Sequence, residues 1–239
     1  KKMKFDTFVG IDWSGDKSNY QRGISVALCK EGNLAPKIIK PKTKYWSREM
    51  LFEWLNNLII KDKVLLGFDF AFSYPFYDRS SYFPGIFSSP TNPKGLWELI
   101  DIINKDKSNF YGGGIWHKKI YKEYYNAPGL KGINYESRRR ETEILAKNKV
   151  HSPSPTFNCV GPAGVGTGSL AGMRFLNRIK EKVDIWPFQT DFCYKKCVLV
   201  EIFPTYYFRM AGIKPDKGSG YNLNKINRAL NYFSTNNLC

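Results

Sequence analysis

Histidine is nearly missing from this chain: His117 and His151 are the only two in 239 residues. With no G-x-S-x-G elbow either, hydrolysis that depends on an imidazole base is disfavoured. Cysteine is sparse and irregular. The five, at positions 29, 159, 193, 197 and 239, leave one unpaired in any full pairing scheme, and none lies in a C-x-x-C pair, which points to a reducing compartment. Cys193 and Cys197 have three residues between them, a spacing that zinc sites use, but there is no second cysteine pair to complete a site. Long apolar runs are lacking too. No stretch reaches the roughly 18 residues of a spanning helix, and the beginning of the chain has no apolar signal core, so the expectation is a cytoplasmic protein with no membrane partner. Acid is also in short supply, with 21 Asp and Glu against 37 Lys and Arg, a formal charge of +16. Such a balance favours a polyanionic partner, nucleic acid first, with a Lys- and Asn-rich composition set by genome base content as the plain alternative.

Aromatic residues are plentiful, with 17 Phe, 15 Tyr and 6 Trp, enough for a sizeable core. Three apolar runs each carry one acid: Phe8-Val9-Gly10-Ile11 into Asp12, Val64-Leu65-Leu66-Gly67-Phe68 into Asp69, and Val198-Leu199-Val200 into Glu201. Short apolar runs of this kind read as buried sheet strands, where a carboxylate is costly unless paired, hydrogen-bonded or bound to metal. Three of them suggest one shared polar site. The plainer reading makes Asp12 and Asp69 turn caps and pairs Glu201 with Lys195 or Lys196.

Around these runs the pattern predicts an antiparallel meander over 5–12, 23–28 and 37–39, turning at Glu31-Gly32-Asn33. A helix follows over the Met50, Leu51, Trp54, Leu55, Leu58 and Ile59 period, with Ser47 as its cap. The strand ending at Asp69 is then expected parallel to a neighbour, which makes the sheet mixed. Residues 71–95 are irregular and proline-rich, as functional covers often are. A helix is expected around Leu96 to Ile103, and a basic, aromatic stretch runs over 108–135. Further helices are expected from Ser137 through the three arginines, after the glycine run 161–168, over 205–211 and over 223–233, with a strand at 197–203. No repeat or linker is visible, so the chain reads as one α/β domain with a basic aromatic insertion near 71–135.

This element order, with acids on the first strand and on the strand after the first helix, resembles the ribonuclease-H-like fold. Gly10-Ile11-Asp12, Gly67-Phe68-Asp69 with Pro75, and Glu201-Ile202-Phe203-Pro204 are similar to the motifs of the predicted nuclease family catalogued as domain of unknown function 429. The resemblance implies a divalent-metal-dependent nuclease using Mg2+ or Mn2+. Asp12, Asp69 and Glu201 would be metal or substrate ligands, with Arg140 and Glu143 of the Arg-x-Thr-Glu segment lining the site. Two departures stand out: the family's Asp-x-Pro is here Asp69-Phe70-Ala71, and no acidic helix follows the Glu201 strand. Either Glu143 or Glu201 then supplies the last ligand, or catalysis is lost.

Three other features bear on function. Gly161 to Ser169 leads into a helix but lacks the lysine of a phosphate loop, so Thr167 and Ser169 either help bind an anion or belong to a tight connector. Arg138, Arg139 and Arg140 either hold phosphates or form a solvated helix face. Tyr121, Tyr124 and Tyr125, among Lys118, Lys119 and Lys122, either stack bases or pack the insertion, whereas Trp116 is expected to pack. The leading reading is a metal-dependent nuclease. The alternatives are an inactive nucleic-acid-binding module and a nucleotide-binding phosphotransferase of related fold.

Overall fold

Thr7, Val9 and Ile11 alternate onto one buried face, the period of two that a strand requires, and the run forms β1 (Thr7–Asp12). In this computed structural model, which describes residues 4–32, 35–161, 164–189, 195–216 and 220–236, β1 lies inside a six-stranded mixed sheet. β2 (Ser25–Lys30) and β3 (Lys37–Ile38) extend it on one side as the antiparallel meander. α1 (Arg48–Lys61) begins where the Ser47 hydroxyl accepts the Met50 amide at 3.0 Å, and it buries Leu51, Leu55 and Ile59 along one stripe. It leads into β4 (Val64–Asp69), which pairs with β1 in parallel and buries Val64, Leu66 and Phe68 completely.

α2 (Pro93–Ile103) has proline in its first turn and an Asn92 cap, and a small hairpin of β5 (Asn126–Ala127) and β6 (Leu130–Lys131) follows. α3 (Glu141–Lys149) starts after the three arginines, not at Ser137 as the charged run predicted. Tertiary bonds claim that segment: the Arg138 guanidinium donates to both Asp78 carboxylate oxygens and to the Pro75, Ser81 and Tyr82 carbonyls. Arg138 is therefore neither on a solvated face nor free to hold a phosphate, and it fixes the loop 75–82. α4 (Gly166–Ile179), β7 (Asp184–Trp186) and β8 (Cys197–Glu201) come next, giving the sheet order β3-β2-β1-β4-β8-β7 with β4, β8 and β7 parallel. The three-residue β7 is too short to announce itself in the sequence. α5 (Pro204–Met210) and α6 (Leu223–Thr235) fall close to their expected spans.

Contacts divide the chain into two compact units, Lys1–Arg140 with Ser154–Ile202, and Glu141–Pro153 with Phe203–Cys239. The first holds the whole sheet, α1, α2, α4 and all of 71–135. Its core includes an aromatic cluster in which Trp13, Phe68, Phe70 and Phe175 meet at centroid distances of 5.3–5.5 Å. α4 is buried almost all round, and Gly172 lets it approach the sheet side, since a β-carbon there would sit 2.2 Å from the Phe70 ring. The 71–135 region has an aromatic core of its own. Trp116, Tyr121, Tyr124 and Tyr125 are all buried, and Tyr125 donates to the Tyr74 hydroxyl at 3.1 Å, so these tyrosines pack the region and are not offered to bases. In the second unit the Phe208 and Tyr221 rings stack at 3.7 Å, and the Asn222 side chain caps α6 at 3.0 Å. Asn33, Pro162, Ala163, Cys193 and Cys239, on which some expectations fell, lie outside the described residues. Among those described, no helix is long and apolar enough to cross a membrane.

Candidate active site at the ends of the parallel strands

β1 and β4 run in register so that Asp12 stands beside Asp69. Neighbouring strands lie about 4.8 Å apart, so both acids leave the same edge of the sheet side by side. That edge carries the carboxyl ends of the parallel strands, where open α/β sheets bind ligands. Burial, then the nearby charges of Asp12 and Glu201, push the Asp69 carboxyl up to about 6. Asp12 is raised as well. Although this residue reaches solvent, the protein around it still disfavours the charge, and the Trp13 amide only partly offsets that. Among the described residues, no neighbouring cation contributes to either shift.

Glu201 stands level with Phe68, one step short of Asp69. Its carboxylate is taken by Arg140 rather than by Lys195 or Lys196: Nη1 and Nη2 donate at 2.7 and 2.6 Å in a two-pronged pair, and the Phe72 amide adds a bond of 3.0 Å. Glu201 thereby ties the end of β8 to the turn that follows Asp69. The carbonyl of Phe72 accepts the buried Trp97 indole at 2.7 Å, which fixes the same turn from the other side.

The loop leaving Asp12 is held just as firmly. The Trp13 indole donates to the Gly168 carbonyl at 3.0 Å. Gly15 lies against the Thr167–Gly168 peptide so closely that a β-carbon would fall about 2.0–2.2 Å from its atoms, which excludes any other residue. The glycine run thus reaches the Asp12 loop, but its hydroxyls serve the run itself: Thr167 donates to the Gly164 carbonyl at 3.3 Å and buried Ser169 to the Val165 carbonyl at 3.2 Å. Arg139 donates to the Ser137 carbonyl. Glu143, buried, belongs to the second unit.

Sequence reasoning missed Arg48. Fully buried at the start of α1, it donates to the Ser14 carbonyl at 2.7 Å and the Asp16 carbonyl at 3.0 Å, and so anchors the loop after Asp12. Burial brings its pKa down to about 10, which leaves it charged at neutral pH. A lone arginine at a helix start gives no sequence signal for this. Among the described residues, no group of three or more His, Cys, Asp or Glu side chains is arranged to hold a metal ion. Cys197 is buried at the opposite end of its strand from Glu201.

No family model matches the chain, and no match is found among curated proteins or solved structures.

Proposed function

We propose that the chain is a divalent-metal-dependent phosphodiester hydrolase acting on nucleic acid, built on a ribonuclease-H-like sheet as its resemblance to the domain of unknown function 429 family implies. The observation that carries this reading is the in-register Asp12–Asp69 pair, two raised carboxyls with no compensating cation among the described residues. The donor set fits magnesium or manganese, since such ions are commonly held by one or two carboxylates, with waters and substrate phosphate oxygens completing the shell. When bound, the cation would polarise the phosphoryl group and stabilise charge developing on its oxygens.

The chain's own contribution is placement. Asp12 and Asp69 supply paired negative charge at the mouth of the site. Arg140 acts through Glu201 to hold the 70–72 turn, and Arg48 with Trp13 holds the loop beyond Asp12. A formal charge of +16 supports a polyanionic substrate. One observation favours the inactive binding module as a second reading: Glu201, the third acid, already has its charge met by Arg140.

The test is cleavage of labelled single- and double-stranded DNA and RNA with Mg2+ or Mn2+. The hydrolase reading expects turnover that Asp12→Asn and Asp69→Asn each abolish while the fold is retained. Equal cleavage by the variants sinks it, whereas salt-sensitive binding without turnover under either ion selects the binding module.

A further inference from the structure

Phe87 is the most exposed large apolar residue described, with a relative exposure of 107%, yet the turn that carries it is well fixed. The Ile86 amide donates to the Phe83 carbonyl at 3.1 Å, the Ser89 amide to the Ile86 carbonyl at 3.0 Å, and the Phe83 amide to the Ser89 hydroxyl at 3.2 Å. This turn is seated on the segment 121–124. Phe83 lies 4.9 Å from the Tyr121 ring and 5.4 Å from that of Tyr124, and the Tyr124 hydroxyl donates to the Pro84 carbonyl.

The same segment brings lysines. The Tyr121 and Lys122 amides both donate to the Lys118 carbonyl at 2.9 Å, so Lys118 and Lys119 are carried on the turn that leads into the tyrosines on which the Phe87 turn is seated. Both lysines are exposed, and among the described residues neither has an ion-pair partner. Lys122 lies 3.5 Å from Glu123, whose carboxylate also accepts the Ile133 amide at 3.1 Å, so this acid is already engaged locally. Lys118 also acts on the Asp106 carboxylate, which is itself paired with Lys107 at 2.7 Å. A fixed, solvent-facing ring with exposed lysines carried on the adjoining segment matches how proteins grip unpaired nucleotides: the base stacks on the ring while cations follow the phosphates. A duplex keeps its base faces covered and has nothing to lay on such a ring.

We infer that Phe87, with Lys118 and Lys119, is a docking platform for single-stranded nucleic acid. The inference rests on the nucleic-acid substrate of the proposed function but not on hydrolysis. The probe is a fluorescent oligo-dT or oligo-U strand, with a hairpin duplex as control, followed by anisotropy in excess chelator so that no cleavage takes place. Phe87→Ala is expected to weaken single-strand binding by roughly tenfold, the scale of one stacked base, while Phe87→Trp retains it and duplex binding is unchanged. The double variant Lys118→Ala with Lys119→Ala is expected to flatten the salt dependence. Because the ring is in solvent, thermal midpoints should match wild type. Wild-type-like binding by Phe87→Ala, equal loss with the duplex, or no binding by wild type overturns the inference, as does Phe87-dependent retention on anionic vesicles without any effect on the oligonucleotide. The two readings fail separately. Phe87-dependent binding without cleavage under any divalent ion removes the hydrolase and leaves the platform, and cleavage with Phe87-independent binding removes only the platform.

Discussion

Asp69 and Asp101 are both carboxylates withdrawn from water within the same unit, and they are treated in opposite ways. Asp101, 6% exposed on α2, is met by Arg174 at 3.0 Å, Arg178 at 2.6 Å and Asn177 at 3.0 Å from α4. Burial raises its pKa, but these hydrogen bonds outweigh burial and the net shift is downward. For Asp69, burial and two neighbouring acids all push the same way, up to about 6. A buried acid with its cations supplied by the fold is a structural joint. One with none among the described residues, beside a second acid at the carboxyl ends of parallel strands, is where the proposed cation would be held.

The largest effect that should separate the two is on activity. Asp12→Asn or Asp69→Asn is expected to lower metal-dependent cleavage of a labelled oligonucleotide by at least about a hundredfold, a few kcal/mol of lost transition-state stabilisation, whereas any loss in Asp101→Asn should follow its lowered stability. Next comes stability at the joint. Asp101→Ala strands Arg174, whose side chain is 4% exposed, and should cost about 3 kcal/mol in denaturant unfolding.

Asp69→Asn should do the reverse. Its folded-state pKa of about 6 stands above the ordinary 3.8, so the folded chain holds that proton more tightly than the unfolded one. Ionising Asp69 therefore costs stability progressively as pH rises through that window. Removing the charge should stabilise the protein by about 1–3 kcal/mol at pH 7 and by nothing below about pH 4. A pH series of urea melts reads this directly, and a destabilised Asp69→Asn at pH 7 would break the contrast. The smallest effect is expected at Arg140, which acts on the site through Glu201. Arg140→Ala should lower kcat more than it raises KM, and Arg140→Lys should restore part of the loss, because a single ammonium can neutralise Glu201 without matching the two-pronged pair. A KM effect alone would instead make Arg140 a substrate contact.

The sheet was largely legible because its strands are short, apolar and bounded by turn residues: Val9 and Ile11 alternate, Val64 to Phe68 is continuous, and each ends at an acid. The register that brings Asp12 beside Asp69 is a further observation, which parallel pairing alone does not fix. What escaped detection depends on partners far along the chain. Arg138 left its expected helix because five acceptor contacts in 75–82 outbid one turn of helix. Glu201 chose Arg140, distant in sequence, over the adjacent lysines. Arg48 looks like any first-turn arginine until Ser14 and Asp16 are folded onto it. The buried tyrosines 121, 124 and 125 and the exposed Phe87 all sit in aromatic, turn-rich sequence, where composition says nothing of which ring faces water.

The central claim, that Asp12 and Asp69 form a cation site, is tested most directly by calorimetric titration of Mg2+ or Mn2+ into wild type and Asp69→Asn above and below pH 6. The account predicts saturable binding by wild type that weakens as Asp69 gains its proton at lower pH, and its loss in Asp69→Asn. Binding that is absent from wild type, or unchanged in the variant, would contradict it.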